Sequence, residues 1–170
     1  FANLDNDNPL GDSDRTFIGD PNPDLIYGFN LGFNYKNFDL SMSFQGTVGN
    51  DIWNSAKGGL ASAGYQNALE EAYTKAWRTE GDKAKYPKMG SASDNFVASS
   101  FYVEDGSYMR LQNLQIGYNI PKDLCAKTKM FSSLRVFASA QNLFTITGYS
   151  GLDPELGINK TLDLGVDNTR

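Results

Sequence analysis

The chain has 170 residues, a formal charge of −5 and a pI near 4.7, an acidity that repels phosphate backbones and argues against nucleic acid as a partner. Histidine is absent and Cys125 is the single cysteine, which removes the commonest general base, the commonest zinc ligand, any intrachain disulfide and any cysteine metal cage. No apolar run approaches the roughly 18–20 residues of a membrane helix, yet a mean hydropathy of −0.44 leaves a membrane barrel open, because there only alternate residues face lipid.

The first segment, 1–23, reads as a loop with an acidic run: Asp5, Asp7, Asp12 and Asp14. No export signal is visible at Phe1, so one is expected upstream or already removed.

Residues 24–50 predict a β-hairpin. Leu25, Tyr27, Phe29, Leu31, Phe33 and Tyr35 alternate with Ile26, Gly28, Asn30, Gly32, Asn34 and Lys36. This is the period-2 signature of a strand with two unlike faces. After a turn at Lys36-Asn37, Phe38, Leu40, Met42, Phe44 and Val48 alternate with Asp39, Ser41, Ser43, Gln45 and Thr47. A hairpin of a soluble sandwich has the same pattern. Strand length separates the two: soluble strands run about 5–6 residues, whereas these alternate over the ~9–11 that a tilted membrane strand needs. The apolar set then faces lipid, with Tyr27 and Tyr35 at opposite rims of the apolar band. Asn30, Asn34, Gln45, Asn113 and Gln115 face the lumen.

From 51 to 106 the pattern breaks into a long loop rich in Gly, Ser, Ala and Asn. One helix is expected over 66–78. There Ala68, Leu69, Ala72, Tyr73, Ala76 and Trp77 form a one-sided stripe, with Glu71 and Lys75 paired on the polar side. A connection this long is unusual unless it is functional.

Residues 107–144 predict two more strands. Leu114, Ile116, Tyr118 and Ile120 oppose Asn113, Gln115, Gly117 and Asn119, and Pro121 ends the ladder. Met109 and Leu111 are out of phase with Leu114, so a bulge is expected near Gln112-Asn113. A polar turn is expected over 122–132. The fourth strand spans Leu134 to about Phe144, with Leu134, Val136, Ala138 and Ala140 opposing Arg135, Phe137, Ser139 and Gln141; Phe137 is the exception on its polar side. Residues 145–170 read as a further loop.

The expected class is therefore all-β: part of a transmembrane antiparallel barrel with long outer loops. Barrels of this kind have short periplasmic turns and long outer loops. That puts Lys36-Asn37 and 121–133 on the periplasmic side and 1–23, 51–106 and 145–170 outside. Four strands cannot close a barrel, and an open edge in lipid leaves unpaired backbone groups, so this stretch is expected to pair with further strands.

The ordered motifs resemble the C-terminal barrel region of SusC/RagA-type TonB-dependent transporters of Bacteroidetes. They run from Asp14-Arg15 and Ile18-Gly19-Asp20-Pro21-Asn22-Pro23 to Tyr27-Gly28-Phe29, then to Phe38-Asp39-Leu40-Ser41, Phe44-Gln45-Gly46 and Gly49-Asn50-Asp51-Ile52-Trp53-Asn54. They continue with Val103-Glu104-Asp105-Gly106-Ser107-Tyr108-Met109-Arg110-Leu111, Gly117-Tyr118 with Pro121, Gln141-Asn142-Leu143-Phe144 and Tyr149-Ser150-Gly151-Leu152-Asp153-Pro154-Glu155. The resemblance implies a 22-stranded barrel with an N-terminal plug. It implies energised import of glycan or peptide oligomers, a surface lipoprotein of the SusD type as a lid, and TonB-ExbB-ExbD as the energy source. The plug and TonB box are expected upstream, and a final closing strand downstream.

The resemblance also suggests a calcium loop near Asp5–Asp14. An EF-hand pattern needs an acidic or amide residue and then Gly where Pro9 and Leu10 stand, so a solvated acidic loop is the competing reading. No catalytic constellation is visible, and no enzyme and no cofactor are expected. The residues singled out for substrate or partner contact are Trp53, Tyr65, Trp77, Tyr102 and Tyr149. Their aromatic faces suit sugar rings and peptide side chains, and equally suit a lipoprotein contact. A passive porin, a barrel-anchored adhesin and a soluble carbohydrate-binding sandwich are the competing functions.

Overall fold

The computed structural model describes residues 4, 11–62, 67–89, 99–128, 131–155 and 165–167. It contains two compact units. One is a sheet unit of Pro23–Gly49 and Gly106–Gly148; the other is a loop unit of Phe1–Asn22, Asn50–Asp105 and Tyr149–Arg170.

The sheet unit holds the predicted strands. β1 (Leu25–Tyr35) and β2 (Phe38–Val48) form the hairpin. The turn needs one left-handed residue, and Lys36 takes it at φ 53°. Two short strands of the loop unit, β3 (Asp51–Asn54) and β4 (Val103–Asp105), intervene in the chain. β5 (Tyr108–Asn119) and β6 (Arg135–Thr147) complete an antiparallel sheet of order β1-β2-β5-β6. At about 3.3 Å per residue these strands are roughly 35–45 Å long, enough to cross an apolar band of about 25 Å at a barrel's tilt.

The register keeps the two faces apart. Leu31 lies opposite Met42, Phe33 opposite Leu40 and Tyr35 opposite Phe38; Leu40 continues to Ile116 and Phe38 to Tyr118. Phe29 and Phe44 stack with centroids 4.8 Å apart, a pairing that adds about 0.5–1.5 kcal/mol to area burial. The apolar row is nevertheless open: Phe33 is 72% exposed, and Ile116, Val136 and Ile146 are also exposed.

The expected bulge is present, and it is larger than expected. Between the Met42–Leu114–Ala140 rung and the Phe44–Leu111–Phe144 rung, β2 advances two residues, β5 three and β6 four. The extra residue on β5 is Gln112. The excess on β6 contains Asn142, left-handed at φ 50°. Because β6 gains two residues, its parity survives, and Phe144 and Ile146 stay on the face of Ala140. The strand therefore runs three residues past its expected end. Phe137 sits on the polar side opposite Gly117, with the Arg135 guanidinium 5.5 Å from its ring centroid.

The polar turn expected over 122–132 contains a helix instead. α3 (Lys122–Thr128) starts behind Pro121, whose carbonyl accepts from the Leu124 and Cys125 amides at 3.0 and 3.2 Å. Cys125 is its buried anchor. Proline ends the ladder by lacking an N–H but suits the first turn of a helix for the same reason.

In the loop unit, β3 pairs antiparallel with β4 and parallel with β7 (Val166–Asp167). Two short helices follow β3: α1 (Ser55–Ser62) and α2 (Glu70–Thr74). The helix expected over 66–78 is thus confined to five residues. The chain leaves it at Lys75, whose carbonyl accepts from the Lys85 and Tyr86 amides, and Ala76 bridges Tyr86. A local strand-like pairing outcompetes the last helical turn.

Candidate functional site

The loop unit is organised around β3. On one edge the Asp51 amide donates to the Asp20 carbonyl at 2.7 Å, and the Asp20 amide donates back to Asp51 Oδ2 at 3.0 Å. Gly19 allows this approach, since a Cβ there would lie 2.9 Å from Asp51 Oδ2 and 3.1 Å from Val103 Cγ1. The Asp20 carboxyl is held below its usual range by the amide and side chain of Asn22.

A closed polar ring lies beyond β3. Lys57 Nζ pairs with Glu104 Oε1 at 2.5 Å. Ser150 donates to Glu104 twice, from its amide to Oε2 at 2.9 Å and from its hydroxyl to Oε1 at 2.8 Å. Asn54 closes the ring: its Oδ1 accepts from the Lys57 amide at 2.9 Å, and its Nδ2 donates to Ser150 Oγ at 3.4 Å. Burial opposes the Glu104 charge, but Lys57 and both Ser150 donors outweigh it and hold the carboxyl below its ordinary range. Next to the ring, the Tyr149 hydroxyl donates to Asp167 Oδ2 at 2.5 Å. Burial first, and then the Asp167 charge, push the phenol far upward.

A small aromatic core fills the rest. Ala61, Ala72, Tyr86 and Tyr102 are buried together, with Trp53, Leu69 and Met89 packed against them. Phe101 sits edge-on to both Tyr86 and Tyr102. Above α2, Glu71 accepts from Lys75 and Lys85 at 2.9 Å each and from the Tyr86 hydroxyl at 3.2 Å. Those two lysines lower its carboxyl from 4.5 to about 2.

The aromatic residues singled out from sequence divide into two groups. Tyr102 and Tyr149 are interior, at 3% and 6% exposure, and Trp53 packs on the core. Its indole Nε1 is buried without an acceptor among the described residues. Trp77 is open at 39%, and Tyr65 lies outside the described residues. Tyr73, one of the loop aromatics expected at a contact surface, is exposed with the Arg78 guanidinium 5.3 Å above its centroid, and Phe17 and Phe101 are exposed rings that were not singled out. Asp12 pairs with Arg15 at 2.9 Å, and Asp14 accepts from the Leu4 and Gly11 amides. Asp5 and Asp7 lie outside the described residues.

In the sheet unit, the polar face carries its own charges. Arg110 Nε donates to Thr145 Oγ1 at 2.9 Å. Arg135 forms a bidentate pair with Asp39, which also accepts from Asn119 Nδ2 at 3.3 Å.

Comparison with known proteins gives one consistent result. No family model matches the chain. TonB-dependent receptor P3 of Formosa agariphila is 39% identical, across 91% of this chain and 15% of that protein. TonB-dependent receptor SusC of Bacteroides thetaiotaomicron is 26% identical, across 92% of this chain and 15% of that protein. Among solved structures, the RagAB peptide importer in its closed-closed state matches with a TM-score of 0.69 at 29% identity, covering 81% of this chain and 15% of that one. Its open-open state matches at 0.68 and 28%, covering 85% and 15%. The chain therefore spans about 15% of the length of these relatives.

Proposed function

Because this chain belongs to the SusC/RagA family of TonB-linked outer-membrane transporters, we propose that its four long strands are wall strands of an outer-membrane barrel and that the loop unit lies on the cell surface. In this reading 1–23, 51–106 and 148–170 are outer loops, β6 running to Thr147. Lys36-Asn37 and 121–133 are the periplasmic turns. The complete protein imports oligomers, glycan or peptide, in a TonB-dependent step. A SusD-type lipoprotein caps the channel from outside, and TonB-ExbB-ExbD acts through a region upstream of this stretch.

The observation that carries the proposal is the sheet's two-faced register. It leaves an uncovered row of Phe, Leu, Ile and Val on one side and Asn, Gln, Ser, Thr, Asp and Arg on the other. A soluble sandwich buries such a row against a second sheet; lipid covers it in a barrel wall. The peptide importer among the structural relatives supports peptides as the substrate class, and the SusC relative supports the wider reading. Trp77, Tyr73 and Phe101 are exposed aromatic side chains of the 51–106 loop that can serve substrate or lipoprotein contact. Tyr65 belongs to the same loop.

Growth on candidate oligomers, measured in cells carrying the complete protein with and without TonB, tests the proposal. Uptake that is lost when TonB is removed is the expected result. Uptake of small solutes that persists without TonB would assign a passive porin instead.

A further inference from the structure

Three segments far apart in sequence meet in the ring of Asn54, Lys57, Glu104 and Ser150. Glu104 stands four residues before β5 and Ser150 three residues after β6, and these strands are neighbours in the sheet. Asp51 follows β2, Asp20 precedes β1, and they are joined by reciprocal hydrogen bonds. β3 pairs with β4. Glu104 is the node of the ring. Its side chain is 15% exposed, and three donors converge on its two oxygens.

We propose that Glu104 is a positioning residue for import: it keeps the 51–106 loop and the 148–170 loop joined as one body throughout the transport cycle, without touching the substrate. This inference rests on the reading of the loop unit as the outer surface of an importer. Its chemistry supports a permanent brace over a switch. A partly buried carboxylate with a paired ammonium and two further donors is costly to open, because the charge left behind loses all its partners together.

The test uses the complete protein in its outer membrane, with Cys125 replaced by Ser. Glu104→Cys and Ser150→Cys are combined, and the two thiols are joined by oxidation or by a short bis-thiosulfonate. In the reduced form, both outer loops should become cleavable by external protease and uptake should be lost. Joining the thiols should restore protection and uptake together, because the link replaces the brace without restoring a carboxylate. Protection restored without uptake would overturn the proposal: either the carboxylate acts directly on substrate or partner, or the ring must open. Full protection and uptake in the reduced form would overturn it as well. Glu104→Gln, which keeps one acceptor oxygen for Ser150, turns the other position into a donor and leaves Lys57 without its counter-charge, should be intermediate in protease sensitivity; sensitivity equal to the parent would overturn the role given to the charge. The protease readout stands apart from uptake, so TonB-independent uptake by the parent protein would defeat the importer reading while the brace is still decided by protection.

Discussion

Arg135 reaches across an intervening strand to Asp39. Its Nε and Nη2 donate to the two carboxylate oxygens at 3.1 and 2.5 Å, although β6 and β2 are separated by β5. The passage lies over Gly117, where a Cβ would come within 2.5 Å of both Asp39 oxygens and 2.6 Å of Arg135 Nη2. The other face repeats the device. Tyr27 on β1 covers Gly46 on β2, and its hydroxyl donates to the Tyr108 carbonyl on β5 at 3.2 Å. In each case a glycine in the middle strand lets a long side chain clamp three strands.

The first prediction follows from the Arg135 clamp. Gly117→Ala should displace the mobile ends of Asp39 and Arg135 and dissolve the pair with little other damage. Arg135→Ala removes the same interaction. The two changes should therefore be non-additive, the double variant unfolding no earlier than the worse single one. Urea unfolding of the complete barrel, followed by its shift in mobility on unheated gels, measures this. Additive losses would mean that Gly117 serves the sheet in some other way.

The second prediction concerns facing. Leu31, opposite Met42 and between Phe29 and Phe33 on the apolar row, should tolerate no charge. Leu31→Arg should cost about 2–4 kcal/mol near the midplane, whereas Asn30→Asp on the polar face should cost little. Lipid-borne quenchers should reach a probe at 31 or 33 and miss one at 30 or 32. The opposite pattern would reverse the facing.

Strand alternation was legible because a lipid-facing row and a lumen-facing row impose a strict period of two over eleven or more residues. The bulge at Gln112 was legible as a break of phase. Its partner at Asn142 was hidden, because two extra residues restore the parity that one would break. The loop unit was less legible. β3, β4 and β7 have four, three and two residues, too few to show periodicity. Gly58 and Gly59 weaken the helical pattern of α1. The stripe Ala68–Trp77 promised a longer helix, but Ala76 takes Tyr86 as its partner. Glu104 and Ser150 were visible only as members of two motifs 46 residues apart, with nothing local to show that one accepts from the other.

The third prediction concerns acid. Glu71 has its carboxyl lowered from 4.5 to about 2 by Lys75 and Lys85. The unfolded segment therefore takes up a proton first as pH falls. Its contribution to the loop unit is complete above 4.5 and is lost as pH falls through 2. Hydrogen exchange at the amides of Lys85 and Tyr86, which bond to the Lys75 carbonyl, should quicken across this window beyond the intrinsic pH trend. In Glu71→Gln it should be faster near neutrality and lack that extra step. An identical step in both proteins would assign the acid sensitivity to another carboxylate.

The last prediction separates contact from support among the aromatic residues of the 51–106 loop. Tyr102 is buried in the aromatic core beside Tyr86 and Trp53, so Tyr102→Ala opens a cavity and should cost about 3–5 kcal/mol. The loop unit loosens, external protease cuts it, and uptake fails as a consequence of lost structure. Trp77 is exposed and ends the strand-like bridge to Tyr86, where its amide donates to the Tyr86 carbonyl at 2.9 Å. That bond belongs to the backbone and survives truncation, so Trp77→Ala should cost only the covered part of the ring, about 1–2 kcal/mol, well below Tyr102→Ala. If the exposed ring meets the incoming oligomer or the lipoprotein, Trp77→Ala should reduce uptake or lipoprotein co-purification while protease resistance stays at the parent level. Trp77→Phe, which keeps an apolar ring of smaller area, should recover part of the loss. Parallel measurement of protease resistance, co-purification and TonB-dependent uptake in the three variants decides the matter. Parent-like uptake and co-purification in Trp77→Ala would remove Trp77 from the contact surface and leave the task to other residues of the same loop.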